Sequence, residues 1–203
     1  MRKVYCDHSA TTRCHPEVAK VVYDYLVNEY GNPSSIHAFG RRARKGVEEA
    51  RAQVADLIGA RAAEIFFTSG GTEADNWALR GTLYANQANG KHFILAPYEH
   101  HAVLDQAEAL VKEGFEVTYL PLEPETGIIR AEELVAAIRP DTVMVSVMFV
   151  NNEIGTVQDI QGLCAAAKAK KPDIVFHTDA VQALGSVPIS VKELGVDLMT
   201  VSS

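Results

Sequence analysis

The sequence predicts an α/β fold in which a mostly parallel sheet is covered by helices on both faces. Short segments of consecutive apolar residues alternate along the chain with segments in which apolar residues recur at helical spacing. Strands that are buried on both faces are apolar at consecutive positions, whereas half-exposed strands alternate apolar with polar residues. Strands that alternate with helices are joined by right-handed crossovers, which make neighbouring strands parallel.

Six segments are predicted as buried strands because they are short, apolar and rich in β-branched or aromatic residues. In chain order they are Glu64–Thr68, His92–Ala96, Glu116–Leu120, Thr142–Val150, Ile174–His177 and Asp197–Ser202. Ligands of such sheets bind beyond the carboxyl ends of the strands. The residues that follow these segments are therefore the candidates for a functional site.

Five segments outside the strands have helical periodicity. They are Pro16–Tyr30, Gly40–Ile58, Ala102–Lys112, Ala131–Ile138 and Val157–Lys170. Pro16 suits the first turn of a helix, and Gly31 and Gly114 stand where helix C-caps belong. A sixth helix is predicted to begin near Thr72–Glu73, directly after a pair of glycines.

The composition narrows the classes of function. The chain has 203 residues and a formal net charge of -7 at pH 7, which argues against a nucleic-acid-binding surface. Its longest apolar stretch, Val143–Val150, is too short to cross a bilayer, and the N-terminus lacks the apolar core of a signal peptide. The three cysteines form no C-x-x-C pair, which favours a reducing compartment. We therefore expect an acidic cytoplasmic protein that binds neither nucleic acid nor membranes.

A glycine pair follows the first predicted strand and precedes a helix. Gly70 and Gly71 let backbone N–H groups approach a ligand, and a helix N-terminus carries partial positive charge. This stretch can therefore form a phosphate-binding cup, to which Thr72 adds a hydroxyl. A plain N-cap by Ser69 or Thr72 explains the same residues equally well. The stretch matches neither the G-x-G-x-x-G nor the Walker pattern.

Two adjacent histidines, His100 and His101, follow the second predicted strand. Side chains of adjacent residues diverge, so the two rings cannot easily share a metal ion, and the H-E-x-x-H motif does not occur. No metal site is predicted. One ring could stack on an aromatic ligand, although the pair taken alone is better explained as surface or helix-capping histidines.

Amide and carboxylate side chains follow two further predicted strands. Asn151 and Asn152 can donate hydrogen bonds to a carboxylate or phenolic oxygen, although taken alone they are better explained by a turn. Asp179 follows a buried strand and needs a cationic partner such as a protonated ring nitrogen of a ligand. A helix N-cap is the alternative for Asp179, and Gln182 lies three residues later. Together with the phosphate cup and a stacking ring, these groups are the complement that pyridoxal phosphate needs.

The sequence resembles the class V pyridoxal-phosphate enzymes, and among them the cysteine desulfurases of the NifS/IscS type. The motifs that carry the resemblance are YCDHSATT (5–12), YGNPSSIHAFGRRAR (30–44), FTSGGTEADNWAL (67–79), EHHAVLD (99–105), VNNEIGTVQDI (150–160) and FHTDAVQALG (176–185). The resemblance implies the large domain of pyridoxal-phosphate fold type I at residues 16–203, preceded by an N-terminal arm at residues 1–15. The C-terminal small domain of the family is missing from these residues.

The resemblance also implies roles for particular residues around the cofactor. Gly71 and Thr72 would hold the cofactor phosphate. Ser202 would join them from the end of the last strand. His100 would stack on the pyridine ring and, as the catalytic residue, help proton transfer.

Three further residues are implied as partners of the ring and the substrate. Asp179 would pair with the pyridine nitrogen, and Gln182 would hydrogen-bond to the ring hydroxyl. Asn152 would reach the same ring oxygen and bind the substrate carboxylate.

The implied reaction removes sulfur from L-cysteine. An enzyme cysteine attacks the substrate sulfur, L-alanine leaves, and a persulfide remains for a sulfur acceptor such as an iron–sulfur scaffold protein. Cys6, Cys14 and Cys164 do not match the setting of that nucleophile, so we interpret them as structural. The resemblance further implies a homodimer.

In the family, a lysine that carries the cofactor follows shortly after the motif that ends here at Ser203. We therefore expect these residues to be the N-terminal part of a longer enzyme, or a proteolysed piece, rather than a genuine short protein. Two other classes of function stay open. One is a selenocysteine or cysteine-sulfinate lyase or a class V aminotransferase, and the other is a non-catalytic dimerisation or binding module.

Overall fold

The computed structural model describes residues 3–8 and 10–202. The chain divides into two compact units, Met1–Ile65 and Phe66–Ser203. The predicted arm at 1–15 and large domain at 16–203 stay predictions, and their residues 1, 2, 9 and 203 lie outside the described part of the chain.

Two helices make up most of the first unit. Helix α1 spans Pro16–Val27, with the proline in its first turn as predicted and the His15 side chain as its cap. Helix α2 spans Ala38–Ile58 and ends at Gly59, whose φ of 72° is a left-handed conformation that favours glycine. Both predicted helices of this unit are confirmed, although α1 ends before the predicted limit at Tyr30.

The predicted strand Glu64–Thr68 is wrong. Residues Ala62–Glu64 form a single 3-10 turn, and no strand follows as far as Thr68. Phe66 and Phe67 suggested a buried strand, but they are 69% and 51% exposed. Aromatic composition indicates side chains that favour burial, whereas a strand also requires a neighbouring backbone with which to pair.

The second unit is built on a five-stranded sheet in which every neighbouring pair of strands is parallel. The strands are β1 (His92–Leu95), β2 (Glu116–Tyr119), β3 (Thr142–Ser146), β4 (Val175–Asp179) and β5 (Leu198–Thr200). Their spatial order is β2-β1-β3-β4-β5. The predicted parallel sheet is confirmed, and the other five predicted strands are present with shifted bounds.

Helices cover both faces of this sheet, as predicted. They are α3 (Gly71–Asn86), α4 (His101–Lys112), α5 (Ala131–Ala137), α6 (Ile160–Lys170) and the short α7 (Val191–Leu194). On one face, Leu79 and Leu110 of α3 and α4 pack in a cluster with Phe93 of β1. Successive residues of a strand point to opposite faces, so Ile94 packs on the other side with Leu134 of α5. Within the described residues no helix is long and apolar enough to cross a membrane.

Candidate functional site

The sheet places the residues predicted from the sequence along one edge. Its strands are parallel, so their carboxyl ends lie at the same edge, and β1, β3, β4 and β5 are successive neighbours. His100 follows β1, and Asn152 follows β3. Asp179 is the last residue of β4, and Gln182 lies three residues beyond it. Ser202 follows β5.

Helix α3 begins at its glycine pair without a side-chain cap. Gly70 occupies the N-cap position, and neither Ser69 nor Thr72 caps the helix, so the N-cap interpretation of these two residues is wrong. The Ser69 amide instead donates to Oε2 of Glu73 at 2.6 Å. The first N–H groups of α3 therefore carry the partial positive charge of a helix N-terminus, and within the described chain no N-cap side chain accepts a hydrogen bond from them. Such a terminus suits an anion.

The first residue of α3 lies beside the residues that follow β4 and β5. A Cβ atom placed on Gly71 would lie 3.1 Å from Cγ2 of Val181 and 3.9 Å from Cβ of Ser202. The Ser202 side chain is half-buried, whereas Thr72 is exposed. An uncapped helix terminus and a serine hydroxyl therefore lie next to each other, an arrangement that suits a phosphate group.

Asp179 is a buried carboxyl at the carboxyl end of strand β4. It is 2% exposed, and its Oδ1 accepts a hydrogen bond from the Val181 amide at 2.9 Å. No helix follows, since residues 181–186 form turns, so the helix N-cap interpretation of Asp179 is wrong. Burial raises the pKa of Asp179, while the Val181 amide and the nearby charge of His100 act in the opposite direction.

His100 is the N-cap residue of α4, which confirms the capping interpretation of this histidine. Its Nδ1 accepts a hydrogen bond from the Ala102 amide at 3.1 Å. Because Nδ1 acts as an acceptor, Nε2 is the atom that carries or exchanges a proton. The ring is exposed, so it combines a fixed orientation with access to a ligand. His101 is also exposed, and its Nδ1 lies 3.6 Å from Asp105 Oδ1.

The two adjacent asparagines have different surroundings. Asn151 is buried, and its Oδ1 accepts hydrogen bonds from the Glu153 and Ile154 amides, so the turn interpretation is confirmed for Asn151. Asn152 is half-buried, as is Gln182. Neither of these two side chains hydrogen-bonds to another residue of the described chain. Their amides are therefore available to a ligand at this edge.

A row of buried polar side chains, which the sequence analysis did not include, crosses three strands next to Asp179. His177 lies at its centre, with Nδ1 2.9 Å from Ser146 Oγ and Nε2 3.1 Å from Thr200 Oγ1. Asp75 of α3 completes the row, since its Oδ1 lies 3.8 Å from His177 Nε2. All four side chains are at most 2% exposed. The row joins α3 to β3, β4 and β5 immediately below the ends of the strands.

Three carboxyl groups share this region. Burial and the Asp179 charge raise the pKa of Asp75 to about 7. Glu99 is buried, with Oε1 accepting from the Met148 amide at 2.6 Å and Oε2 unpaired within the described chain. Burial and the charges of Asp179 and Asp75 raise the pKa of Glu99 well above its usual range. Like charges in a poorly solvated site cannot all ionise, so this region binds protons and favours a cationic ligand.

The sequence indicates the burial of Asp75 and His177 but gives no sign that Glu99 is buried. Asp75 precedes Leu79 and Leu83 by four and eight residues, so the helical spacing places it on the buried stripe of α3, where a carboxylate is unusual. His177 stands inside an apolar strand, which is a comparable signal. Glu99 lies in a loop without periodicity, and nothing in the sequence indicates that it is buried. Among the described residues, no group of three or more His, Cys, Asp or Glu side chains is arranged to hold a metal ion.

Comparison with known proteins identifies relatives of this chain. The family model described as "Aminotransferase class-V" matches residues 4–203. The curated protein "Cysteine desulfurase IscS" of Dictyoglomus turgidum is 50% identical over 202 residues, which are 100% of this chain and 50% of the relative. The protein of the same name from Methanosarcina thermophila is 49% identical over 99% of this chain and 49% of its own length. The chain thus spans about half the length of the curated relatives it matches.

Solved structures also match nearly the whole of this chain and about half of their own length. A structure described as a NifS-like protein superposes with a TM-score of 0.96 at 37% identity, over 99% of this chain and 55% of that one. The crystal structure of DndA from Streptomyces lividans superposes with a TM-score of 0.82 at 39% identity, over 98% of this chain and 55% of that one.

Proposed function

The chain belongs to the class V aminotransferase family, and we propose that the protein that contains it is a pyridoxal-phosphate-dependent cysteine desulfurase. It would remove sulfur from L-cysteine, release L-alanine and leave a persulfide for a sulfur acceptor or an iron–sulfur scaffold protein. The observation that carries the proposal is that an uncapped helix N-terminus and a buried carboxyl, Asp179, lie at the same edge of the sheet. Relatives that are named cysteine desulfurase and are 49–50% identical over the matched residues support it.

The start of α3 fits the phosphate of this cofactor. A phosphate needs several hydrogen-bond donors and a favourable field, which the first amides of a helix supply. Gly71 brings the backbone close to Ser202, so a phosphate at Gly71 and Thr72 would also be within reach of the serine hydroxyl.

Asp179 fits the pyridine nitrogen of the cofactor. A carboxylate that is 2% exposed is costly unless a cation or a proton neutralises it. Within the described chain Asp179 forms no ion pair with a lysine or arginine. A protonated ring nitrogen would supply the missing charge, and the carboxylate would hold the proton on that nitrogen. Gln182 and Asn152 have unpaired amides for the ring hydroxyl and the substrate carboxylate.

His100 would carry out proton transfer. When bound, the pyridoxal ring withdraws electrons from the substrate carbon to which it is joined. The Ala102 amide occupies Nδ1 of His100, so Nε2 is the atom that would take a proton from the substrate and return it. The same hydrogen bond fixes the plane of the ring, which would let it lie against the pyridine.

Cys164 does not fit the nucleophile. Cys164 is buried and donates to the Gly195 carbonyl oxygen at 3.2 Å, and burial raises the pKa of this thiol to about 11. A nucleophilic cysteine needs the opposite, a lowered pKa and access to substrate. A structural role therefore fits Cys164, whereas Cys6 and Cys14 are exposed. The proposal requires a nucleophilic cysteine and a cofactor-bearing lysine in the remaining half of the family's length, and it includes a cytoplasmic homodimer.

Two measurements on the complete protein test the proposal. Incubation with L-cysteine and a reductant should give alanine and sulfide in equal amounts. The intact mass of the denatured protein after borohydride treatment should include one reduced cofactor adduct. Slow transamination of cysteine without sulfide would indicate an aminotransferase instead. A mass without an adduct, and no cofactor absorbance, would leave only a non-catalytic module.

A further inference from the structure

Asn151, which precedes the predicted substrate-binding Asn152, hydrogen-bonds in two directions. Its Oδ1 accepts from the Glu153 and Ile154 amides at 2.9 and 3.0 Å, which closes the turn that contains Asn152. Its Nδ2 donates to the carbonyl oxygen of Tyr98 at 2.9 Å. The side chain is 4% exposed, so water cannot readily replace these partners.

The bond to Tyr98 joins the turn to a segment that follows a different strand. Tyr98 lies two residues before His100, in the connection between β1 and α4. The neighbouring residue Glu99 forms a second link between the same segments, since its Oε1 accepts from the Met148 amide at 2.6 Å. The two segments are therefore held together by two buried side chains, one reaching in each direction.

The bond to Tyr98 is not needed for the turn itself. A turn of this kind uses only the side-chain oxygen, so serine or aspartate could also form it. Donation to the Tyr98 carbonyl oxygen requires the amide nitrogen, because an ionised aspartate only accepts and a serine hydroxyl ends one atom short of this nitrogen. The second bond therefore gives the asparagine a role beyond turn formation.

We propose that Asn151 is a positioning residue that fixes the turn carrying Asn152 relative to the segment carrying His100. The inference rests on the proposed function, in which Asn152 binds the substrate carboxylate and His100 Nε2 exchanges the proton. A displacement of about 1 Å between such groups costs on the order of a hundredfold in rate. In this role Asn151 acts through other residues, because backbone groups already occupy both its side-chain oxygen and its side-chain nitrogen.

The test compares Asn151→Asp with Gln158→Glu in the complete protein loaded with pyridoxal phosphate. Asn151→Asp keeps the oxygen that closes the turn and removes the donor to Tyr98. Gln158 is a matched control, because it is also buried and its Nε2 donates to the Tyr98 hydroxyl and to the Gly127 carbonyl oxygen. Its Oε1 accepts from the Ile129 amide. Both variants should lose similar stability.

Only Asn151→Asp should lower kcat, by about tenfold or more. Cofactor affinity should fall less than kcat, because the phosphate and ring-nitrogen partners lie on α3, on β4 and after β5, whereas only His100 and Asn152 would be displaced. Hydrogen exchange of the Ala102 amide, which bonds to His100 Nδ1, should accelerate in Asn151→Asp and not in Gln158→Glu. If the two variants behave alike in kcat and in exchange, the positioning role is excluded.

Asn151→Ser gives a second comparison if the aspartate variant fails to fold, since serine closes the turn without adding charge. It should show the same loss of kcat and the same faster exchange at Ala102, and wild-type values for both would overturn the proposal. Hydrogen exchange at the Ala102 amide does not depend on whether the protein is catalytically active. A protein that forms no cofactor adduct would refute the proposed function, and the exchange measurement would still decide whether Asn151 fixes the His100 segment.

Discussion

His177 Nε2 lies 3.8 Å from Asp75 Oδ1, and solvent reaches 0% and 2% of these two side chains. Burial lowers the pKa of His177 to about 4. Burial and the Asp179 charge raise the pKa of Asp75 to about 7. Between these values the histidine is neutral and the aspartate keeps its proton, so the pair carries no net charge. The pair therefore lies between α3 and β4 without placing a second negative charge beside Asp179.

We expect Asp75→Asn to reduce the pH dependence of stability. An unfolded aspartate releases its proton near pH 3.8, whereas folded Asp75 retains it to about pH 7. The folded state binds more protons across this window, so the free energy of unfolding falls as the pH rises from 3.8 to about 7. Asparagine cannot release a proton. Between about pH 5 and pH 8 the variant should therefore gain about 1 to 3 kcal/mol relative to wild type in urea unfolding.

Asp141→Asn is a control in which the pH dependence of stability has the opposite sign. The Asp141 side chain is 46% exposed, and its ion pair with Arg139, at 2.7 Å, holds its pKa below the usual value. A group whose pKa is lowered by folding stabilises the folded state above its unfolded pKa, and this contribution is lost as the pH falls. Because solvent reaches much of the Asp141 side chain, the effect should be small. If Asp75→Asn follows the wild-type pH profile, the carboxyl titrates normally and the uncharged pair does not exist.

Asp179→Ala should weaken the binding of pyridoxal phosphate. Removal of one partner from a buried charge pair costs about 3 to 5 kcal/mol, which corresponds to a loss of affinity of about a hundredfold or more. Spectrophotometric titration of the cofactor-free complete protein measures this affinity. Asp173→Ala is a suitable control, since Asp173 pairs with Lys171 on the surface before β4 and should not affect the cofactor. Unchanged affinity of the Asp179 variant would remove its assigned role at the ring nitrogen.

The sequence predicts the position of the candidate site because buried parallel strands can be recognised from their apolar residues. Buried strands such as β1 and β3 are apolar at consecutive positions, and their parallel pairing brings His100 and Asn152 to one edge. The same criterion failed at Glu64–Thr68, because it measures how strongly side chains favour burial. It cannot show whether a pairing partner exists for the backbone.

The hydrogen bonds that position the site could not be predicted in the same way. Asn151 was predicted to form a turn, which is a local property of the chain. Its bond to Tyr98 joins residues that are 53 positions apart. The link from Glu99 to the Met148 amide spans 49 positions and has no periodic signal. Such contacts depend on the order of strands in the sheet, which the strand pattern alone leaves open.

Ser202→Ala should weaken cofactor binding through the phosphate group alone. The serine lies beside the first residue of α3, and loss of one hydrogen bond to a charged group costs about 1.5 to 3 kcal/mol. We expect the affinity for pyridoxal phosphate to fall by about tenfold or more. The affinity for pyridoxal without the phosphate should not change, which makes the unphosphorylated compound an internal control. An equal loss for both compounds would place the serine away from the phosphate.

His100→Asn should separate the structural role of this residue from its catalytic role. Asparagine is a favourable N-cap, so it can replace Nδ1 as the acceptor for the Ala102 amide and preserve the start of α4. It has no titrating nitrogen, so proton transfer should be lost, and removal of a general acid–base group costs about 10²- to 10⁴-fold in kcat. His100→Ala should lose the same activity and also about 1 kcal/mol of stability. His101→Ala, at an exposed position, should change neither quantity. Activity of the asparagine variant within about twofold of wild type would mean that His100 only caps the helix.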